Sequence, residues 1–368
     1  MSPPIAPSLA RAPDSGAGAR RASFTPAGAW RPGGRYVLPL AVFLLLTSIA
    51  AAVAVGSADL SAADVLRSVG THLGLPARPL PPLTDSIVWD LRLPRVLLAG
   101  LVGAGLAVCG AVLQALTRNP LADPFLLGVS SGASTGAVAV LVLGIHVGAG
   151  PVGLTTGAFA GSLVAFGAVL LLAGRRAVEP TRIVLAGVAV SQLFSAVTSL
   201  IVISDAHTQD TRGVTFWLLG SLTAASWPAV ALCAVVTGVG LLVCWAAATA
   251  LDAFAFGTDT ARSLGFSTGR TRLLLFGVTA LVAATLVAAS GAIGFVGLTV
   301  PHAVRFMIGS GHRTLLPACA VTGATFLIWA DTAARTVFSP QELPVGVLTA
   351  VLGVPVFALV MLRRTATP

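Results

Sequence analysis

Residues 89–124 read WDLRLPRVLLAGLVGAGLAVCGAVLQALTRNPLADP. Between Leu93 and Thr117 the side chains are almost all apolar or small. A helix rises 1.5 Å per residue, so a run of this length crosses the roughly 30 Å hydrocarbon layer of a bilayer. One such run could be a buried core helix, but a soluble core cannot absorb many of them. Working outward, comparable runs lie at 37–56, 124–147, 151–173, 182–203, 226–250, 272–290, 292–309, 314–336 and 343–362. Composition agrees: 56% of the 368 residues are hydrophobic and only 10% charged, against about a quarter charged in a soluble domain. The mean hydropathy is +0.93. The expectation is an all-α polytopic membrane protein with ten transmembrane helices.

The same composition excludes several chemistries. All 22 basic residues are arginine. Without lysine there is no Walker A loop, no Schiff-base lysine and no Ser-Lys dyad. No H-E-x-x-H or G-x-S-x-G motif occurs, so no catalytic residue is assigned. Cys109, Cys233, Cys244 and Cys319 all lie inside apolar runs without C-x-x-C spacing, which leaves them as buried small hydrophobes and points to no metal site. The net charge of +9 is scattered between apolar runs rather than gathered on one face, so nucleic acid is not an expected partner.

Residues 1–35 are rich in Pro, Ala, Gly, Ser and Arg and read as a disordered tail. Residues 36–364 form the membrane domain, and 365–368 a short C-terminal tail. Ten crossings put both termini on one side. Sixteen of the 22 arginines then share that side, leaving Arg67, Arg78, Arg92, Arg95, Arg212 and Arg335 opposite. By the positive-inside rule both termini are cytoplasmic, in a multi-pass protein of the inner membrane. Segment 214–222 (VTFWLLGSL) is too short to cross and suits an interfacial or re-entrant helix. Run 292–309 holds Pro301, His302 and Arg305 and is expected to be broken or tilted and to face protein rather than lipid.

Four polar places carry functional interest. RNPLADP (118–124) turns between two spans, with Asp123 placed to accept backbone N–H groups ahead of Pro124. DAFAFGTDTARSLGFSTGRT (252–271) is a long cytoplasmic connection that reads as two short surface helices, one over Thr258–Leu264. Leu264 and Phe266 there suit a docking surface better than a plain linker. Arg92, Arg95 and Arg335 sit at span ends on the far side, placed either to snorkel or to bind carboxylates of a partner. Asp331, four residues before Arg335, can pair with it.

The stretches WDLRLPRVLLAGLVGAGLAVCGAVLQALTRNPLADPFLLGVSSGAS (89–134), GAIGFVGLTVPHAVRFMIGSGHRTLLPACAVTGATFLIWADTAAR (291–335) and ELPVGVLTAVLGVPVFALVMLRR (342–364) resemble, in order, the permeases of iron–siderophore, haem and vitamin B12 ABC importers, the FecCD family. The resemblance implies the type II ABC importer permease fold, working as a homodimer or as a heterodimer with a related permease, with the substrate path at the dimer interface. It also implies two cytoplasmic ATPase subunits and an extracytoplasmic substrate-binding protein, ATP being bound by the ATPase rather than as a cofactor of this chain. Arg92, Arg95 and Arg335 match positions that dock the binding protein. Asn119, Leu121, Pro180 and Thr181 match the cytoplasmic gate, although the family usually places two small hydroxyl residues where Pro180 and Thr181 stand. Arg262, Leu264 and Gly265 match the coupling helices that meet the ATPase. Ferric siderophores are the expected cargo, with haem or vitamin B12 as alternatives. An ion-coupled transporter would place ionisable groups at mid-span, and this chain has almost none there.

Overall fold

The computed structural model describes residues 34–56, 60–76, 78–144, 151–174, 179–204, 211–339 and 341–365. The tail expected over residues 1–35 lies outside the described residues as far as residue 33, as do residues 366–368 of the C-terminal tail.

Among the described residues the regular elements are helices. In chain order they are α1 (Gly34–Ala54), α2 (Ala62–His72), α3 (Pro82–Ser86), α4 (Leu93–Thr117), α5 (Val129–Leu143), α6 (Pro151–Ala173), α7 (Pro180–Ser204), α8 (Thr211–Leu218), α9 (Trp227–Ala246), α10 (Ala248–Ala255), α11 (Thr258–Ser263), α12 (Thr268–Ser290), α13 (Val296–Ile308), α14 (His312–Thr336) and α15 (Val345–Thr365). A π-helical stretch, Ile87–Arg92, joins α3 to α4, so that helix runs unbroken from Pro82 to Thr117. Seven helices are long and apolar enough to cross a membrane, and Val129–Leu143, Val296–Ile308 and Val345–Pro355 are shorter apolar helices. The chain is therefore an all-helical, multi-pass membrane protein.

Helix α4 is the buried centre, packed on α14, α12, α13 and α9. Its glycines permit backbone contact, which is how helices associate where lipid offers no hydrophobic drive. A Cβ at Gly103 would strike the Gly323 carbonyl of α14, and one at Gly110 would strike the Gly297 carbonyl of α13.

Two in-helix prolines expose a second device. Proline has no N–H, so the carbonyl four residues back loses its helical partner. Pro301 frees the Gly297 carbonyl, and the Gln114 amide of α4 donates to it at 3.2 Å. Pro317 frees the Arg313 carbonyl, and the indole of Trp245 at the end of α9 donates to it at 3.0 Å. Each kink is thus stitched to a neighbouring helix.

Some boundaries depart from the sequence reading. Run 226–250 is two helices, because the chain leaves helical geometry at Ala247 before α10 starts. Pro180 and Thr181 belong to the first turn of α7 rather than to a connection, since proline is favoured there, where no N–H is needed. Run 292–309 is broken at its start: residues 291–295 are not helical, Phe295 takes a left-handed φ of 69°, and α13 follows. Segment 214–222 contains the end of α8, only 8 residues long.

Candidate functional site

The three expected arginines converge where α4 begins, α1 ends and α14 ends. Arg95 forks onto Asp331, its Nε donating to the two carboxylate oxygens at 3.1 and 3.0 Å and Nη2 to Oδ1 at 3.0 Å. Its Nη1 reaches Glu342 at 2.9 Å. The other two grip the last turn of α1, whose carbonyls lack helical donors and carry the negative end of the helix dipole. Arg92 donates to the Val53 and Ala54 carbonyls at 3.0 and 2.9 Å. Arg335 donates to the Ala52 carbonyl and lies 3.9 Å from Asp331. All three are largely buried, at 7% exposure for the Arg92 residue and 13% and 7% for the Arg95 and Arg335 side chains. Glu342 is the open member, its side chain 41% exposed. The i, i+4 pair of Asp331 and Arg335 forms, but Arg95 is the closer partner.

At the opposite end of α4, Arg118 ends the helix in the left-handed conformation. Asn119 Oδ1 then accepts the Leu121 backbone N–H at 2.9 Å, closing a tight turn. Asp123 starts the next helical turn by accepting from Phe125 N at 3.0 Å, as its place before Pro124 implies. Burial pushes the Asp123 carboxyl up to about 6. Half-exposed Leu121 and Asp123 border a crevice of about 490 Å³ with Val188, Ser191 and Gln192 of α7 and Phe295. Pro180 and Thr181, at the start of α7, do not line that crevice. Of the four gate candidates, therefore, Leu121 lines it and Asn119 shapes its loop.

The connection 252–271 forms the end of α10, all of α11 and the start of α12. A Schellman closure ends α11: Gly265 N donates to Arg262 O at 2.9 Å and Phe266 N to Ala261 O at 3.1 Å. Gly265 takes φ +85°, which only glycine adopts without strain. Arg262 is exposed and pairs with Asp259 at 3.3 Å. Leu264 is 62% exposed and Phe256 71%. Beneath them Arg272 stacks over Phe254 at 5.0 Å and donates to Thr258 Oγ1 at 2.9 Å, binding the hairpin to α12.

Four residues, Gln114, Glu342, Asp252 and His312, were given no role by the sequence reading. Gln114 was legible as a lone amide deep in a span; it holds Gly297 and accepts from Arg305, which accounts for Arg305 as a tie between α13 and α4. Glu342 carried no signal beyond its charge. Asp252 and His312 meet at 2.5 Å across 60 residues, with no local pattern announcing it. Among the described residues no cluster of three or more His, Cys, Asp or Glu could hold a metal ion.

With this geometry in place, comparison with known proteins identifies the group. The model of the FecCD transport family matches residues 44–363. The cobalamin import system permease protein BtuC of Halobacterium salinarum is 43% identical over 286 residues, covering 77% of this chain and 76% of that protein. The Fe(3+)-citrate import system permease protein YfmD of Bacillus subtilis is 34% identical over 318 residues, covering 86% and 92%. A solved inward-facing structure of a metal-chelate type ABC transporter superposes with a TM-score of 0.78 at 28% identity, covering 89% of this chain and 99% of that one. This chain belongs to the FecCD transport family and is the membrane-spanning permease subunit of an ABC importer.

Proposed function

We propose that this permease carries a chelated metal across the cytoplasmic membrane, with both termini cytoplasmic, between two copies of itself or itself and a related permease. The observation that carries the reading is the free face of α7. Gln192, Ser195 and Ser199 recur along it and are exposed, in a helix apolar enough to span. Exposed amide and hydroxyl groups are costly against lipid, so this face suits a wetted path shared with a second permease. Neutral polar groups bind a cargo weakly, which suits release, while affinity resides in the extracytoplasmic binding protein.

Within this reading Arg92, Arg95 and Arg335 present the docking end to that binding protein, with their carboxylate and carbonyl partners holding them in place. Leu121 closes the cytoplasmic side of the path on the turn shaped by Asn119, and Pro180 and Thr181 start the helix beside it. Arg262, Leu264 and Gly265 offer the coupling surface to two ATPase subunits, whose ATP drives the cycle. Replacing Leu264 by Asp releases the ATPase from the purified complex.

The cargo is a ferric-siderophore-type chelate on the sequence expectation, supported by relatives that carry iron(3+)-hydroxamate (37% identical) and Fe(3+)-citrate (34%). A corrinoid is the second reading, favoured by the higher identity, 43% and 41%, to cobalamin and vitamin B12 permeases. The deciding experiment places the permease, its ATPase and its binding protein in proteoliposomes. ATP-dependent uptake of iron-labelled ferric hydroxamate supports the first reading and uptake of cobalt-labelled cyanocobalamin the second. Uptake of neither, nor of ferric citrate or haem, with the ATPase active, refutes chelate import.

A further inference from the structure

Helix α14 touches both working ends of the molecule. At its start His312 is buried, and its ring Nδ1 donates to Asp252 Oδ1 at 2.5 Å, since a carboxylate can only accept. The same oxygen accepts the His312 backbone N–H at 3.0 Å, so Asp252 of α10 also caps α14. His312 Nε2 is buried without a hydrogen-bond partner among the described residues, where this one bond and packing hold the ring. Trp245, at the end of α9, adds the bond to the carbonyl that Pro317 frees. At the other end, Asp331 and Arg335 belong to the buried arginine cluster. From His312 to Asp331 the helix rises about 28 Å. Between them, Gly323 and Gly103 hold α14 backbone to backbone against α4.

We infer that α14 is a transmission rod and that the Asp252–His312 pair is the latch by which movement of the α10–α11 hairpin reaches the arginine cluster. The inference rests on the proposed ATPase docking at α10–α11. The chain itself joins that hairpin only to α9 and α12, so α14 follows it through packing and through the bonds that Asp252 makes to His312. Rigid, closely packed helices shift as units instead of absorbing a pull locally, which lets a latch at one end bias the other. His312 is a positioning residue: it touches no cargo and sets where α14 sits relative to the hairpin.

The test uses the complete complex with its own ATPase and binding protein. His312→Leu removes the ring donor but leaves the backbone N–H for Asp252 to cap. Asp252→Asn keeps an acceptor oxygen and serves as the conservative control. With His312→Leu the ATPase co-purifies at wild-type stoichiometry and basal ATP hydrolysis persists. The stimulation of that hydrolysis by the binding protein falls at least about fivefold, the low end of a typical coupling energy. Asp252→Asn retains stimulation. Unchanged stimulation in His312→Leu overturns the latch. Loss of the ATPase from His312→Leu overturns it too, because the pair would then shape the dock instead of relaying movement. Asp252→Ala breaks the pair from the other side and reads the same way should His312→Leu not assemble. Leu264→Asp separates the two claims: an ATPase retained there refutes the docking surface, whatever His312 does.

Discussion

Arg95 and Asp331, 236 residues apart in the chain, are joined by three hydrogen bonds of 3.0–3.1 Å inside the helix bundle. A buried ion pair gains little over a well-packed apolar pair, because both charges leave water, but stranding one member is expensive. The Asp331 side chain is only 2% exposed, so it has no solvent to fall back on. The pair fixes the register of α14 against α4 at the end where α1 also stops.

Removing one partner is therefore worse than removing both. Asp331→Ala leaves Arg95 and Arg335 facing each other without their shared carboxylate and costs about 3–5 kcal/mol. The double variant Arg95→Met with Asp331→Leu loses less, and its thermal midpoint in detergent lies above that of the single variant. Midpoints in the reverse order would show that the charges stabilise the bundle on their own account.

Gly265 tests the coupling role proposed for the α10–α11 hairpin without touching its surface. Nothing lies within 4 Å of the position a Cβ would take, so Gly265→Ala meets only the strain of φ +85°. That strain costs about 1 kcal/mol and loosens the end of α11. Membrane insertion and gel-filtration behaviour stay normal, while ATPase co-elution weakens several-fold. Full co-elution would detach the shape of this turn from ATPase binding.

Asp123 supplies a pH dependence. Burial raises its carboxyl from 3.8 to about 6, so the folded protein favours the protonated form. Below 3.8 the group is protonated folded or unfolded and is neutral to stability. The penalty grows as pH rises from 3.8 to about 6 and is complete above that. Asn at this position accepts from Phe125 N without bearing charge. Asp123→Asn thus matches wild type near pH 3.5 and is more stable at pH 8, by at most about 3 kcal/mol. Thermal denaturation across that range reads the difference, and an Asn variant less stable at pH 8 would mean that the charge has a partner worth more than its desolvation.

Much of the architecture was legible because its causes are local. Seven of the ten expected spans were readable from run length, whereas runs 124–147, 292–309 and 343–362 hold shorter apolar helices; the short α8 was readable from the length of its apolar segment, and the start after Asp123 from a capping residue before proline. The break in run 292–309 was expected from Pro301, His302 and Arg305, although its position at 291–295 depended on the left-handed Phe295. The α10–α11 hairpin was legible as short surface helices because Gly257 and Gly265 bracket α11. The division of run 226–250 at Ala247 was not, since WAAATAL holds no helix breaker and the tertiary setting decides there. Of the site, the sequence marked Arg92, Arg95 and Arg335 as residues of interest but not their burial. A side chain near a span end is equally able to face headgroups or the ends of neighbouring helices.

What the amino-acid order determined unaided is that this chain lives in a membrane and crosses it repeatedly. Transfer of apolar side chains into lipid and the cost of moving charge across it act residue by residue, so no partner need be known. Which polar groups meet was decided only by the fold: Arg95 with Asp331, Gln114 with the carbonyl behind Pro301, His312 with Asp252. Each pairing spans tens to hundreds of residues, and its energy exists only once helices distant in sequence have packed closely enough to exclude water between them.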